Sequence, residues 1–201
     1  DPQRVFESLT LEVAKNIQMF WVFSGPGTYD DAFVIDVYKD VLWTRGMDRL
    51  RIGYGEQLIN YINAKYNITP TFFYNGADFQ NNVLKEVVKR GEINIPEDKI
   101  IIDSNDFKNT LDQIKRFVLP EHLHISGGEI GLISHAPHLM RILHILNKYQ
   151  VIPKDMKVRL FPIATPESGR EEYKIMEIKG LLYYIFIAKQ AAKDTYPFLS
   201  F

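Results

Sequence analysis

Cysteine is absent from the 201-residue chain. That lack excludes disulfides, zinc–thiolate sites and a thiol nucleophile, and leaves the redox compartment open. An excess of charge of one sign is missing too. Twenty-four Lys and Arg balance 25 Asp and Glu, for a formal net charge of −1. No global field therefore draws the chain to nucleic acid or to anionic lipid. There is no Lys/Arg run and no interleaving of basic and aromatic residues. No apolar run approaches the roughly 18–20 residues of a membrane span. Repeats and low-complexity segments are lacking. So are Gly-x-Gly-x-x-Gly, a Gly-Lys-Ser/Thr phosphate loop, His-Glu-x-x-His and Gly-x-Ser-x-Gly, which argues against a dinucleotide oxidoreductase and a serine hydrolase. The chain opens at Asp1 and not at Met, so a removed leader or anchor stays open. As it stands it reads as soluble, with the cytoplasm favoured.

What is present is apolar. Hydrophobic residues make up 46% and aromatic residues 13%, enough for one α/β-sized domain over 1–201 with a substantial core. Its centre is the stretch Ile130 to Leu146. Ile130 to Ile133 is a short apolar run of buried-strand length. It breaks at Ser134-His135-Ala136-Pro137, and Leu139, Ile142, Leu143 and Leu146 then recur at helical spacing. Proline fits a first helical turn, so Ser134 or His135 is the expected N-cap. A strand running into a helix N-terminus directs free N–H groups at one point, a natural place for an anion. His138 and Arg141, three apart, share a face of that turn. With Ser134 they form a candidate anion-holding cluster.

The remaining chain alternates. Val5 to Ile17 reads as a helix, and Met19 to Phe23 as an aromatic strand. That strand ends in the loop Ser24-Gly25-Pro26-Gly27, where glycine allows close backbone approach. Asp31 to Trp43 reads as a helix packed on two sides. Arg45 to Arg51 carries three Arg against one Asp; such a segment is usually a solvated face, and it could also supply a phosphate contact. Gln57 to Tyr66 continues as helix. Thr71 to Tyr74 is a strand, Asn75-Gly76-Ala77-Asp78 a turn, and Asn82 to Lys89 a helix. Lys99 to Ile102 is the third strand, followed by Asp103-Ser104-Asn105-Asp106 and a helix from Asn109 to Val118. Lys157 to Phe161 is a fifth strand, and Tyr173 to Ala192 a long final helix.

Short apolar strands between helices predict a parallel sheet covered on both faces. The ligand crevice of such a sheet lies beyond the carboxyl ends of its strands. Four polar segments stand there: Ser24 to Gly27, Asn75 to Asp78, Asp103 to Asp106, and Ser134 to His138. The loop Pro162 to Ser168 could add a wall.

The order of these loops resembles the YdcF/SanA/ElyC-like family, a Rossmann-like group of largely unknown activity. The residues that carry the resemblance are Ser24-Gly25-Pro26-Gly27, Asn75-Gly76-Ala77, Asn109-Thr110-Leu111-Asp112-Gln113, and Ser134-His135-Ala136-Pro137-His138-Leu139-Met140-Arg141-Ile142. Ile95 to Ile100 matches the family's usual lead into its third strand. The resemblance spans about residues 18–165, with an added helix over 1–17 and another over 168–195. It departs at Asp103, where a Glu is usual, at Asp112-Gln113 for Glu-Asn, at Asn75-Gly76-Ala77 for Ser-Gly-Gly, and at Asn81-Asn82, where a Glu is absent.

The resemblance implies a Rossmann-like three-layer sandwich of about five mainly parallel strands, with helices on both faces. It implies a small-molecule or nucleotide-like ligand, and it allows S-adenosylmethionine. In this reading Arg141 and the helix N-terminus hold the anion, and Gly25, Gly27 and Gly76 admit the ligand. Ser24, Asn75, Asp78 and Ser134 line the strand ends. Asp103 and His138 are the candidate acid–base groups. Asp103 could instead only cap a helix, and Asn109 and Thr110 could serve only to tie loops together. Two alternatives stand beside it. One is a metal-dependent hydrolase using His122, His124, His135, His138 and Glu129, with His144 merely on a helix side. The other is a non-catalytic interaction or cell-envelope protein, which the missing Glu favours. Oligomeric state is not legible.

Overall fold

The computed structural model describes residues 2–25, 47–107, 109–121, 123, 127–163, 175, 178 and 199–200. The expected helix over 31–43, Gly27, Arg45, His122 and His124 lie outside these residues. So does the final helix, apart from Ile175 and Ile178, which are helical and exposed.

The N-terminal segment is two helices, not one. α1 spans Pro2–Ser8 and α2 spans Leu11–Asn16. Thr10 interrupts them as an N-cap, its hydroxyl accepting from the Val13 N–H at 3.3 Å. The apolar spacing predicted a continuous helix, but a cap residue with extended backbone (φ −70°, ψ 167°) ends one turn and starts another. β1 follows directly at Ile17–Val22.

α3, Met47–Tyr66, starts ten residues before the periodicity suggests. Gly53 and Gly55 blur the apolar pattern there. Gly55 has a reason: a Cβ on it would lie 3.1 Å from both Phe72 and Val22 and 3.3 Å from Ile133. Its absence lets α3 rest directly on the sheet. β2 is Thr71–Tyr74 and α4 is Asp78–Lys89. A single 3-10 turn, Glu97–Lys99, leads into β3, Ile100–Ile102. α5 is Thr110–Lys115, capped by Asn109, whose side chain accepts from the Asp112 N–H. β4 is Glu129–His135 and α6 is Ala136–Tyr149, with His135 as its N-cap residue. β5 is Lys157–Ile163, so Pro162 and Ile163 end a strand and do not open a loop. β6 is the pair Leu199–Ser200.

Among the described residues the sheet has six strands in the order β3-β2-β1-β4-β5-β6, every pair parallel. This is a three-layer α/β, Rossmann-like fold. The layers follow from strand alternation. Met19, Trp21 and Phe23 face Ile114, Phe117, Leu139, Ile142, Leu143 and Leu146 of the α5–α6 side. Phe20 and Val22 face Ile52, Leu58, Ile59, Ile62, Leu84 and Val87 of the α3–α4 side. Ile17 joins that second side because the β1–β4 register shifts between Ile17 and Met19. Burying each of these side chains contributes about 1.5–3 kcal/mol. No helix of the described residues is long and apolar enough to cross a membrane.

Candidate functional site

Strand order reverses direction at β1, whose two neighbours are β2 and β4. In open parallel sheets the ligand crevice opens at such a switch point, beyond the carboxyl ends. The ends of β1 and β4 carry Ser24, Gly25, Ser134 and His135, and all but Gly25 are buried. A polar network has been built into this apolar sheet.

Its largest member is Arg51, fully buried in the first turns of α3. Its Nε donates to Nδ1 of His135 at 2.9 Å. One terminal nitrogen donates to the Phe23 carbonyl at 2.8 Å and to the Ser24 carbonyl. The reading of Arg45 to Arg51 as a solvated face is thus corrected for Arg51, while Arg49 is exposed. Asp48, one turn earlier, is 1% exposed. It accepts from the Gly25 N–H, from the Tyr74 hydroxyl at 3.1 Å and from the Gln80 amide at 2.8 Å. Burial raises its pKa above the usual carboxylate value, and Arg51 and these three donors pull it back.

His138 lies on the other side of the sheet and is 2% exposed. Its Nδ1 is 2.8 Å from the Ser134 hydroxyl and its Nε2 is 2.9 Å from the Thr110 hydroxyl. Burial, then the charges of Arg141 and Arg51, hold its pKa well below 6.5. The ring is therefore neutral, so one nitrogen donates and the other accepts. Thr110 ties α5 to α6 through this imidazole. His135 is likewise neutral, pushed down to about 3 by burial and by Arg51.

The second strand end is closed by amides. Asn75 accepts from Trp21 Nε1 at 2.8 Å and donates to the Gln113 carbonyl at 3.1 Å. Gln113 donates to the Ser24 hydroxyl at 2.8 Å and to the Asn75 carbonyl. Asn81 holds both the N–H of Gly76, at 2.8 Å, and its carbonyl, at 2.9 Å. The position where the resembled family carries Glu thus lies in a segment whose Asn81 binds loop backbone.

The remaining candidates sit nearer the surface. Asp103 is half-buried and accepts from the N–H and side chain of Asn105, at 2.9 and 2.7 Å. That is a turn-forming carboxylate; the cap of the next helix is Asn109, not Asp103. Asp78 is exposed, and its N–H donates to Asp106. Asn109 is exposed and Arg141 is half-buried. Glu129 is paired with Arg159 at 2.7 Å at the opposite end of β4. Six residue steps of strand separate it from His135, roughly 20 Å, so Glu129 does not join His135 and His138 in one group. Among the described residues no three His, Asp or Glu side chains gather as a metal-holding set.

Comparison with known protein families, with curated proteins and with solved structures gives no match.

The structure therefore brings Ser24, Gly25, Asn75, Gly76, Thr110, Ser134 and His138 to one rim, with Asp103, Asp78, Asn109 and Arg141 around it. Sequence reasoning missed Asp48, Gln80 and the inward role of Arg51. One signal for them existed: Asp48 and Arg51 are three apart, on one face of a helix whose start was misplaced.

Proposed function

We propose that the chain is a YdcF-like protein that binds a small anionic or nucleotide-like ligand at the carboxyl ends of β1 to β4. The observation that carries this reading is the buried polar network at the β1–β4 switch point, where Asp48 and Arg51 of α3, Ser134 and His135 of β4 and His138 of α6 gather at the ends of largely apolar strands. Arg141 and the N-terminus of α6 supply positive potential for the ligand's anionic group. S-adenosylmethionine and phosphate esters are the ligand classes to try first, on the strength of the resemblance.

A second reading, binding without turnover, is favoured by one observation. Many of the polar groups at the rim hold one another: Asn75 holds Trp21 and Gln113, Asn81 holds Gly76, and His138 holds Ser134 and Thr110. Such groups shape a loop cluster and need not react.

The test is a thermal-shift screen with S-adenosylmethionine, S-adenosylhomocysteine, nucleotides, sugar phosphates and divalent metals. It is repeated on Arg141→Ala and Asp103→Asn. A ligand at one hundred times its Kd stabilises the fold by about 2.7 kcal/mol. The expected result is a shift with one ligand class that falls in Arg141→Ala. No shift with any compound, from well-folded protein, would remove the reading.

A further inference from the structure

The backbone N–H groups of the loop after the first strand are what a phosphate binds in nucleotide-holding parallel sheets. Here the Gly25 N–H already donates to a carboxylate, that of Asp48. The carboxylate is no loose visitor. It reaches the strand end from the first turn of α3, is 1% exposed, and is held by Tyr74 from β2 and by Gln80 from α4. Gln80 also donates to the Gly25 carbonyl at 3.3 Å, so one amide grips both the loop and the acid. Arg51, whose charge acts on Asp48, also donates to the Phe23 and Ser24 carbonyls and to His135.

We infer that Asp48 is a specificity-determining residue of the proposed site: it occupies the Gly25 N–H at the end of β1 from within. The part of a ligand that docks beside Gly25 is then uncharged or cationic, such as nucleoside hydroxyls, a base edge or an onium centre. A phosphate there meets a fixed carboxylate, and the ligand's anionic group must lie elsewhere on the rim. This inference rests on the ligand-binding reading above and narrows it.

The test compares adenosine, S-adenosylmethionine, ADP and pyrophosphate by thermal shift and titration calorimetry on the wild type, Asp48→Asn and Asp48→Ser. Asparagine keeps an acceptor for the Gly25 N–H and removes the charge, so it guards against loss of the fold in the serine variant. The expected wild-type result is binding of adenosine or S-adenosylmethionine, with pyrophosphate at least tenfold weaker, while ADP, which can seat its phosphates elsewhere on the rim, binds at least as well as adenosine. In Asp48→Asn that gap should close by tenfold or more. If the wild type takes pyrophosphate as well as adenosine, and Asp48→Asn changes nothing, the inference is overturned while the binding reading survives. If no probe binds any variant, the inference falls, and the binding reading is left to the wider screen above. A ligand-independent measurement accompanies this: the Gly25 amide resonance should follow one carboxyl titration that vanishes in Asp48→Asn. An amide that does not titrate would overturn the inference on its own.

Discussion

The Nε of Arg51 donates to Nδ1 of His135 across 2.9 Å, joining residues 84 positions apart. Because Nδ1 accepts, the neutral ring carries its proton on Nε2. The same guanidinium holds the Phe23 carbonyl at 2.8 Å. One side chain from α3 thus ties the end of β1 to the end of β4, the two strands that flank the switch point.

Arg51→Met should therefore cost more than a lost surface charge. It leaves Asp48 buried without its cation and strips two strand-end carbonyls of their donor. Leaving buried hydrogen-bonding groups unsatisfied costs about 1–3 kcal/mol, more where a charge is involved. Arg51→Lys should recover less than half of that, since a single ammonium cannot span His135 and two carbonyls. Urea denaturation reads both, and a loss under about 1 kcal/mol in Arg51→Met would contradict the arrangement.

Stability should fall as the solution is acidified below pH 6.5. The unfolded chain binds a proton on His135 near 6.5, whereas the folded chain binds it only at about 3. Between those values the unfolded state holds more protons, so stability rises with pH, by up to about 1.4 kcal/mol per unit for each such histidine. His138, also held well below 6.5, adds a contribution of the same sign. Asp48 opposes them. Its folded pKa lies above 3.8, so the folded state takes that proton first and acid favours it. Two histidines outweigh one carboxyl, and the net slope should be positive from about pH 4 to 6.5. Denaturation at several pH values checks the slope, and His135→Asn should reduce it by about one proton.

The Ser134–His138–Thr110 chain should behave as a unit. Ser134→Ala or Thr110→Val each leaves a buried ring nitrogen without its hydroxyl, at about 1–3 kcal/mol. The double variant should lose less than the sum, because the first change already breaks the chain. Strict additivity in a double-mutant cycle would show that the two hydrogen bonds act independently.

Gly131→Ala should destabilise although alanine suits most positions better than glycine. A Cβ there would stand 2.6 Å from the Phe20 ring and 2.9 Å from Phe161, whose rings already meet edge to face. Overpacking of this kind costs about 1–3 kcal/mol. A melting temperature equal to the wild type would show that the aromatic pair can move aside.

The elements that sequence made legible are those with a clear period. α6 shows Leu139, Ile142, Leu143 and Leu146 at helical spacing, and each is buried as expected. β2 and the Ile130–Ile133 part of β4 are short, mainly apolar runs, and both are buried. Legibility failed where a local signal competed with the period. Thr10 capped a second helix inside an apparently single one. In α3, Gly53 and Gly55 hid ten residues of helix, and with them the site's buried acid and base.

The sequence by itself determined the layers, because strand and helix periods are local and each apolar face needs cover. It also brought the polar loops to one rim, since parallel strands put every following loop at the same edge. Only the tertiary structure decided what those polar residues do. Asp48 and Arg51 share the first turns of α3, and His135 lies 84 positions beyond Arg51. Nothing in the spacing of Arg51 and His135 fixes that they meet beneath the end of β1, where burial removes water and leaves hydrogen bonds within the protein as the way to keep Asp48, Arg51 and His135 there.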